Sequence, residues 1–381
     1  MAQEKRQPAE VFPPGYFIQE ELETRGWTQA DLAEILGRPA QLVNEIIAGK
    51  RSITAETARG LGDAFDTGPE VWMNVDAAYQ LWRDPRPPDD AVARRARLYA
   101  KAPMKEMVRR RWIEPSGNID VLEKRVLDFF GLAALDDEPS LWPYAARKAT
   151  SYQAVSPAER AWLFRAKKLA GGLAAERFTD TRFDHALANL RVLLHAPEEV
   201  RHVPRVLAEA GIRLVVVEPL SKMRVDGVTL WLDDKSPVIA LSLRYDRVDW
   251  FWHTLMHEMK HAADRDGLTS PGTIDVLFAS HAEPITEKPE SERHVDAFAA
   301  NFLVPRAELE NFIARVRPLY SKLKIRGFAA VAKVHPGIVV GQLQHRGQIS
   351  YAHNREMLAK VRDILTNTTL TDGWGKTAPS L

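Results

Sequence analysis

At 381 residues the chain is long enough for two or three domains, each with its own core. A net charge of +1 excludes a polycation, so any contact with nucleic acid has to come from a local patch. The chain has no cysteine, which excludes disulfides and thiolate metal sites and fits a cytoplasmic location.

Met1 to Pro14 is polar and Pro-containing, without the apolar core of a signal peptide, and no run of about 18 apolar residues points to a membrane span. Residues 15–82 then read as a helical bundle. Phe17, Ile18 and Leu22 stand at helical spacing. Thr28 is an N-cap with Asp31 three residues on, and Leu32, Ala33, Ile35 and Leu36 form the stripe expected to be buried. Gly37 ends this helix. Pro39 opens a third, with Leu42, Val43, Ile46 and Ile47 inward, and Gly49 closes it. Thr54 caps a fourth helix, and a fifth runs from Pro69 through Trp72 and Tyr79.

Residues 83–90 carry three prolines and no apolar side chain, the composition of a linker. From 91 to about 200 the pattern is helical, with Leu98, Met104, Met107, Trp112, Ile119, Leu122, Leu127 and Phe130 as candidate core, punctuated by Pro143 and Pro157. Near 212 the texture changes. Residues 212–218, 227–232 and 237–243 read as short strands, the last two joined by a turn at 233–236. A helix over 247–265 follows, then a Gly/Pro/Ser loop and a second helix over 291–304, stopped by Pro305. Helical pieces at 306–316 and 326–333, a short strand at 348–351 and a frayed last dozen residues complete the pattern. The fold class expected is mainly α with a small β-sheet, that is α+β.

The helix over 247–265 contains His257-Glu258-Met259-Lys260-His261. Residues four apart share a helical face, so His257 and His261 can aim at one metal ion, with Glu258 beside them as a proton acceptor. A zinc hydrolase needs a third protein ligand and an open position for water. Glu292 is the best candidate, and Asp296, four residues on, can accept a hydrogen bond from a ligand imidazole. Asp264 is a lesser candidate for third ligand. His253 reads as a polar residue at the rim, and His294 falls on the wrong side of its helix. In this arrangement zinc polarises the scissile carbonyl and acidifies water, while Glu258 moves the proton to the leaving amine. Arg244, Tyr245, Arg306 and His281 are candidates for stabilising the oxyanion.

The helix–glycine–helix over 28–48 has the length and turn of a helix-turn-helix, whose second helix enters the major groove of DNA. Arg38, Gln41 and Asn44 would face base edges. Lys50 and Arg51 would meet phosphates, and so would the helix start at Thr28 and Gln29. A basic run from Arg94 to Arg111 reads chiefly as a solvated helix face.

Two resemblances follow from these residues. Residues 13–82 resemble the helix-turn-helix domain of HigA-type antitoxins, through Pro14-Gly15, the segment 28–33, the segment 46–54 and Trp72-Met73-Asn74. Residues 210–310 resemble the ImmA/IrrE family of zinc metallopeptidases, through Asp226-Gly227, Phe251-Trp252, the histidine pentapeptide and the segment 298–305; the segment 334–341 is similar to the C-terminal part of that family. Lys260 stands where that family often has Gly, and Arg265 where it often has a further His. The second resemblance implies a zincin-like metallopeptidase domain, with Glu292 as third ligand and a helix-turn-helix repressor as the kind of protein acted on.

Together these readings divide the chain into a DNA-binding domain at 13–82, a linker at 83–90, a helical connecting region at 91–200 and a zinc peptidase domain at 205–365. The expected cofactor is Zn2+. The expected partners are double-stranded operator DNA, a protein substrate such as a repressor or toxin, and a second copy of the chain, with no membrane. The competing readings are a non-enzymatic antitoxin or transcription factor whose second half senses a ligand or binds a partner, and a peptidase whose head binds protein.

Overall fold

The computed structural model describes residues 11–84, 90–137, 156–266, 268 and 290–373. Residues 85–89 of the linker expected at 83–90, Pro143, His281 and most of the Gly/Pro/Ser loop lie outside the described residues. The chain divides into two compact units, Met1–Val92 and Ala93–Leu381.

The described residues of the first unit form α1 (Pro14–Arg25), α2 (Gln29–Ile35), α3 (Ala40–Ile47), α4 (Ala55–Phe65) and α5 (Pro69–Arg83). Local chemistry sets their starts. Thr28 and Asp31 form a reciprocal capping box: the Asp31 amide donates to Thr28 Oγ1 and the Thr28 amide donates to the Asp31 carboxylate. Thr54 accepts from the Thr57 amide at the start of α4. Gly37, at φ +62°, supplies the left-handed residue that turns α2 into α3. Ile18, Leu22, Leu32, Val43, Ile46, Leu61 and Trp72 make the core of this unit. Ile35 departs from the expected stripe and is 48% exposed. α2 is only two turns long, and at 100° per residue Ile35 falls away from the face set by Leu32 and Leu36.

The second unit opens within α6 (Asp90–Lys101) and continues through α7 (Met104–Arg109), α8 (Ile119–Phe130), α9 (Pro157–Ala170), α10 (Asp180–Leu193) and α11 (Val203–Glu209). Strands β1 (Arg213–Val217), β2 (Gly227–Trp231) and β3 (Pro237–Leu241) precede α12 (Val248–Asp264) and α13 (Glu290–Leu303). Then come α14 (Arg306–Val316), α15 (Lys322–Ala332), α16 (Pro336–His345), α17 (Arg362–Thr366) and β4 (Leu370–Asp372). The sheet order is β2-β3-β1-β4, with β3 and β4 parallel to β1 and β2 antiparallel to β3.

Residues 91–200 do not stand apart as a connecting region; their described helices belong to the second unit. The Trp162 indole donates to Val217 O at 2.9 Å, the Arg213 guanidinium donates to Leu173 O at 3.0 Å, and Arg165 pairs with Asp372 at 2.6 Å, which ties α9 and the segment after it to the sheet. The basic run is also partly structural: Arg94 pairs with Glu123, and the half-buried Arg110 donates to the carbonyls of Glu218 and Pro219.

Two expectations for the tail are corrected. No strand forms at 348–351, and the fourth strand is Leu370–Asp372, within the stretch expected to fray. That strand exists because β1 offers it an open edge, with Val215 to Val217 in register with Leu370 to Asp372. A run of three residues with little strand preference takes its conformation from a distant partner. α16, absent from the elements expected from periodicity, is buried against α12 and α15.

α12 is the centre of this unit. Phe251, Trp252, Leu255, Met256, Met259 and Ala262 are buried around most of its circumference. It packs against β2 and β3, against α13 and against α16. A helix enclosed on several sides can carry polar groups only if each has a partner inside.

Candidate functional site

That condition isolates one cluster. His257, Glu258 and His261 on α12 and Glu292 on α13 are all buried. Glu292, Val295, Ala299 and Leu303 share the face of α13 turned to α12, so the apolar stripe itself delivers the Glu292 carboxylate to the histidines. His257 Nε2 lies 3.0 Å from His261 Nε2 and 3.3 Å from Glu292 Oε2, and His261 Nε2 lies 3.6 Å from Glu292 Oε1.

Second-layer carboxylates fix both rings. His257 Nδ1–H donates to Asp296 at 2.9 Å, and His261 Nδ1–H donates to Asp266 at 2.7 Å. Both Nε2 atoms therefore turn toward the centre, where the Glu292 oxygens also point, and each offers a lone pair there once its ring is neutral. Neither Glu292 oxygen has a hydrogen bond of good geometry, although both are fully buried. A buried carboxylate facing two nitrogen lone pairs is costly unless something positive lies among them.

A divalent zinc ion fits these donors. Four-coordinate zinc about 2.05 Å from each N or O donor sets the donors roughly 3.3 Å apart. The observed separations of 3.0, 3.3 and 3.6 Å bracket that value. Two imidazoles and one carboxylate suit zinc, whereas calcium takes six to eight oxygens.

The charge environment agrees. Burial works against a second proton on His257, but Asp296 and Glu292, with the charge of Glu258, outweigh it and raise its pKa to about 9. Burial likewise opposes the charge on His261, and Asp266 and Glu258 prevail and raise it. Burial raises the pKa of Glu258 despite both histidines and the Thr229 hydroxyl. An acidic enclosure that favours a proton on imidazole also favours a metal cation in its place.

Glu258 is held by β2. Thr229 Oγ1 lies 2.9 Å from Glu258 Oε2 and 2.8 Å from the Glu258 carbonyl. Gly227 gives the carboxylate room: a Cβ there would sit 2.8 Å from Thr254 Cγ2 and 3.0 Å from Glu258 Oε1. Gly227→Ala is expected to push the Glu258 side chain aside and cost about 1–3 kcal/mol by overpacking. Thermal unfolding should register this loss while the zinc content stays unchanged. An unaltered unfolding temperature would mean that the carboxylate has room to spare.

Several residues singled out in the sequence stand elsewhere. Asp264 is no third ligand; it pairs with Lys260, whose ammonium lies over the Phe298 ring at 5.8 Å. Arg244 is bidentate on the buried Asp226, and Tyr245 packs on Trp250. Arg306 is an exposed partner of Glu310. His253 is half-buried, its ring 6.5 Å from that of His257, and His294 is exposed. The sequence reading missed Asp266 and Thr229. Asp266 follows Arg265, whose left-handed φ of 58° ends α12 and folds the chain back so that the Asp266 amide donates to His261 O. An acid just past the stop of a histidine-bearing helix is the signal that could have found it.

In the first unit, α3 exposes Gln41 and Asn44 opposite the buried Val43 and Ile46. Carboxylates hold several of the predicted contact residues: Arg38 pairs with Glu56, Gln41 donates to Glu45 at 3.0 Å, and Arg51 lies 3.4 Å from Glu45. Lys50 is exposed. At the start of α2, the Thr28 amide and hydroxyl are engaged by Asp31, and Gln29 is half-buried. Asp31 thus occupies part of the position expected for a phosphate.

The architecture is that of a helix-turn-helix unit followed by a larger α+β unit with a buried two-histidine, one-carboxylate cluster. Residues 18–72 match the family described as Helix-turn-helix. Over 78 residues the chain is 37% identical to an uncharacterized HTH-type transcriptional regulator of Haemophilus influenzae, a match covering 20% of this chain and 70% of the relative. Over 82 residues it is 34% identical to the uncharacterized HTH-type transcriptional regulator YbaQ of Escherichia coli, covering 22% and 71%. Among solved structures, PA4674 of Pseudomonas aeruginosa, in complex with its operator DNA, is 35% identical over 19% of this chain and 81% of that one, with a TM-score of 0.19. An addiction module antidote protein of a HigA family from Coxiella burnetii is 28% identical, covering 28% and 99%, with a TM-score of 0.18. The chain belongs to the helix-turn-helix family of transcriptional regulators.

Proposed function

We propose that this protein is an operator-binding regulator whose second unit is a zinc-dependent peptidase acting on a protein, such as a repressor or toxin. The observation that carries the peptidase half is the convergence of two Nε2 atoms on a buried Glu292 carboxylate whose oxygens have no hydrogen bond of good geometry. It agrees with the resemblance of residues 210–310 to the ImmA/IrrE metallopeptidases.

His257, His261 and Glu292 would hold the ion, with Asp296 and Asp266 keeping both imidazoles in the ligating tautomer. Zinc in such a site supplies Lewis acidity and makes water acidic near neutral pH. Glu258 is the base. Its Oε2 is held by Thr229, so Oε1 is the atom left to take a proton from water and return it to the leaving nitrogen. Burial raises the pKa of Glu258, which makes its carboxylate a stronger base than one in water. Glu292→Gln should lose zinc, and Glu258→Gln should keep zinc while losing cleavage, as read by elemental analysis and mass spectrometry.

For the first unit, the family and the exposed face of α3 support DNA binding. Gln41 and Asn44, with Arg38 once its pair with Glu56 opens, would read bases in the major groove, and Arg51 would turn from Glu45 to phosphate. With about five phosphates contacted, affinity for a duplex selected from a random pool should fall roughly 500-fold between 50 and 200 mM salt. Asn44→Ala should cost about 1–3 kcal/mol on the selected duplex and little on unrelated DNA. Fluorescence anisotropy measures both. A salt-independent affinity, or equal losses on all sequences, would refute this reading of α3.

A further inference from the structure

Resting on the peptidase reading of the second unit, we propose that a basic groove along α13 binds the acidic segment of the polypeptide to be cleaved. Arg293 and His294 of α13 line it on one side, His345 and Arg346 at the end of α16 on the other, and Arg306 of α14 joins them. A more enclosed recess shares Asp296, Ala300, Gln342 and His345 with this groove and adds the aliphatic walls of Leu303 and Ile338. Asp296 is the residue that holds His257 Nδ1 at 2.9 Å, so groove and recess reach the edge of the metal centre.

The sign of the groove selects the ligand. Three guanidiniums and two imidazoles face two carboxylates. One of these, Asp296, is committed to His257. The other, Glu310, is 2.7 Å from Arg306 and 3.9 Å from Arg346, and so offsets only part of the positive charge. Exposed cations of this kind attract a complementary anionic partner and set its register. The aliphatic recess selects further. Between Leu303 and Ile338 it fits an alkyl side chain, which a polypeptide carries and a nucleotide does not. Of the rings that line recess and groove, Trp250 is packed on Tyr245 with centroids 4.4 Å apart, Phe298 is stacked on Phe302 and lies under the Lys260 ammonium, and Tyr351 stands exposed at the recess. The ligand is therefore an acidic polypeptide with an aliphatic side chain beside its carboxylates.

The test uses the full chain carrying Glu258→Gln, so that binding is read without cleavage. Two labelled peptides share a central leucine; one is flanked by Asp and Glu, the other by Asn and Gln. The acidic peptide should bind about tenfold more tightly, and the preference should vanish near 0.5 M salt. It should also vanish in the same protein with Arg293→Glu and Arg346→Glu added, with folding verified by circular dichroism. Equal affinities, or a preference that survives the double reversal, would overturn the proposal. So would a single-stranded oligonucleotide of equal charge that displaces the peptide and is itself lost on reversal, since the groove would then belong to nucleic acid. Acidic-peptide binding combined with a protein that retains no zinc would defeat the peptidase reading and leave the groove standing.

Discussion

Glu292→Gln is expected to strip the protein of zinc, from about one ion per chain to a small fraction of that, as read by elemental analysis after dialysis. The substitution keeps the shape of the side chain and removes only its charge and one acceptor. Three ligands are the fewest that hold a catalytic zinc ion, so losing the sole carboxylate should be decisive. Asp296→Asn keeps all three ligands and loosens only the orientation of His257, so its affinity should fall about 10–100-fold. Zinc at about 1,000 times its dissociation constant stabilises the folded state by about 4 kcal/mol, equivalent to roughly 10 °C for a unit of this size. This shift should be present in the parent protein and absent in Glu292→Gln. The metal-free variant should unfold no lower than the metal-free parent, because it no longer buries a carboxylate without donors. A variant that still holds one zinc per chain would show that the ion lies elsewhere.

Glu258→Gln should retain the full complement of zinc and lose cleavage by about 10²–10⁴-fold, the usual worth of a general base. The amide can keep the contact with Thr229 but cannot accept the proton from water. Mass spectrometry of a peptide library incubated with each protein, with zinc measured on the same samples, separates the two effects. Equal turnover by the variant would remove Glu258 from the mechanism. A zinc-replete parent that cleaves nothing in the library would favour the non-enzymatic reading, in which the ion is structural.

Much of the site was legible because helices translate spacing into direction. His257 and His261 are four apart on α12, and Glu292 shares a stripe with Val295 and Ala299 on α13. Those regularities are local and survive without knowledge of the fold. Asp266 was not legible from the same regularity, since it reaches His261 only after the chain reverses at Arg265. Thr229 and Gly227 come from a strand 29 and 31 residues earlier, and nothing in their own neighbourhood points to Glu258.

The sequence by itself determined the helices of the first unit, their caps, the pairing of exposed Gln41 and Asn44 on one helix, and the two histidines with their intervening carboxylate. Capping hydrogen bonds and the helical repeat act over three or four residues, so they are written in adjacent positions. Tertiary structure alone decided that Leu370–Asp372 becomes a strand on β1, that α9 joins the sheet, and that Asp264 turns to Lys260 while Asp266 serves His261. These outcomes depend on which edge is open and which buried group lacks a partner. Both are properties of residues brought together from far along the chain, where packing overrides local preference.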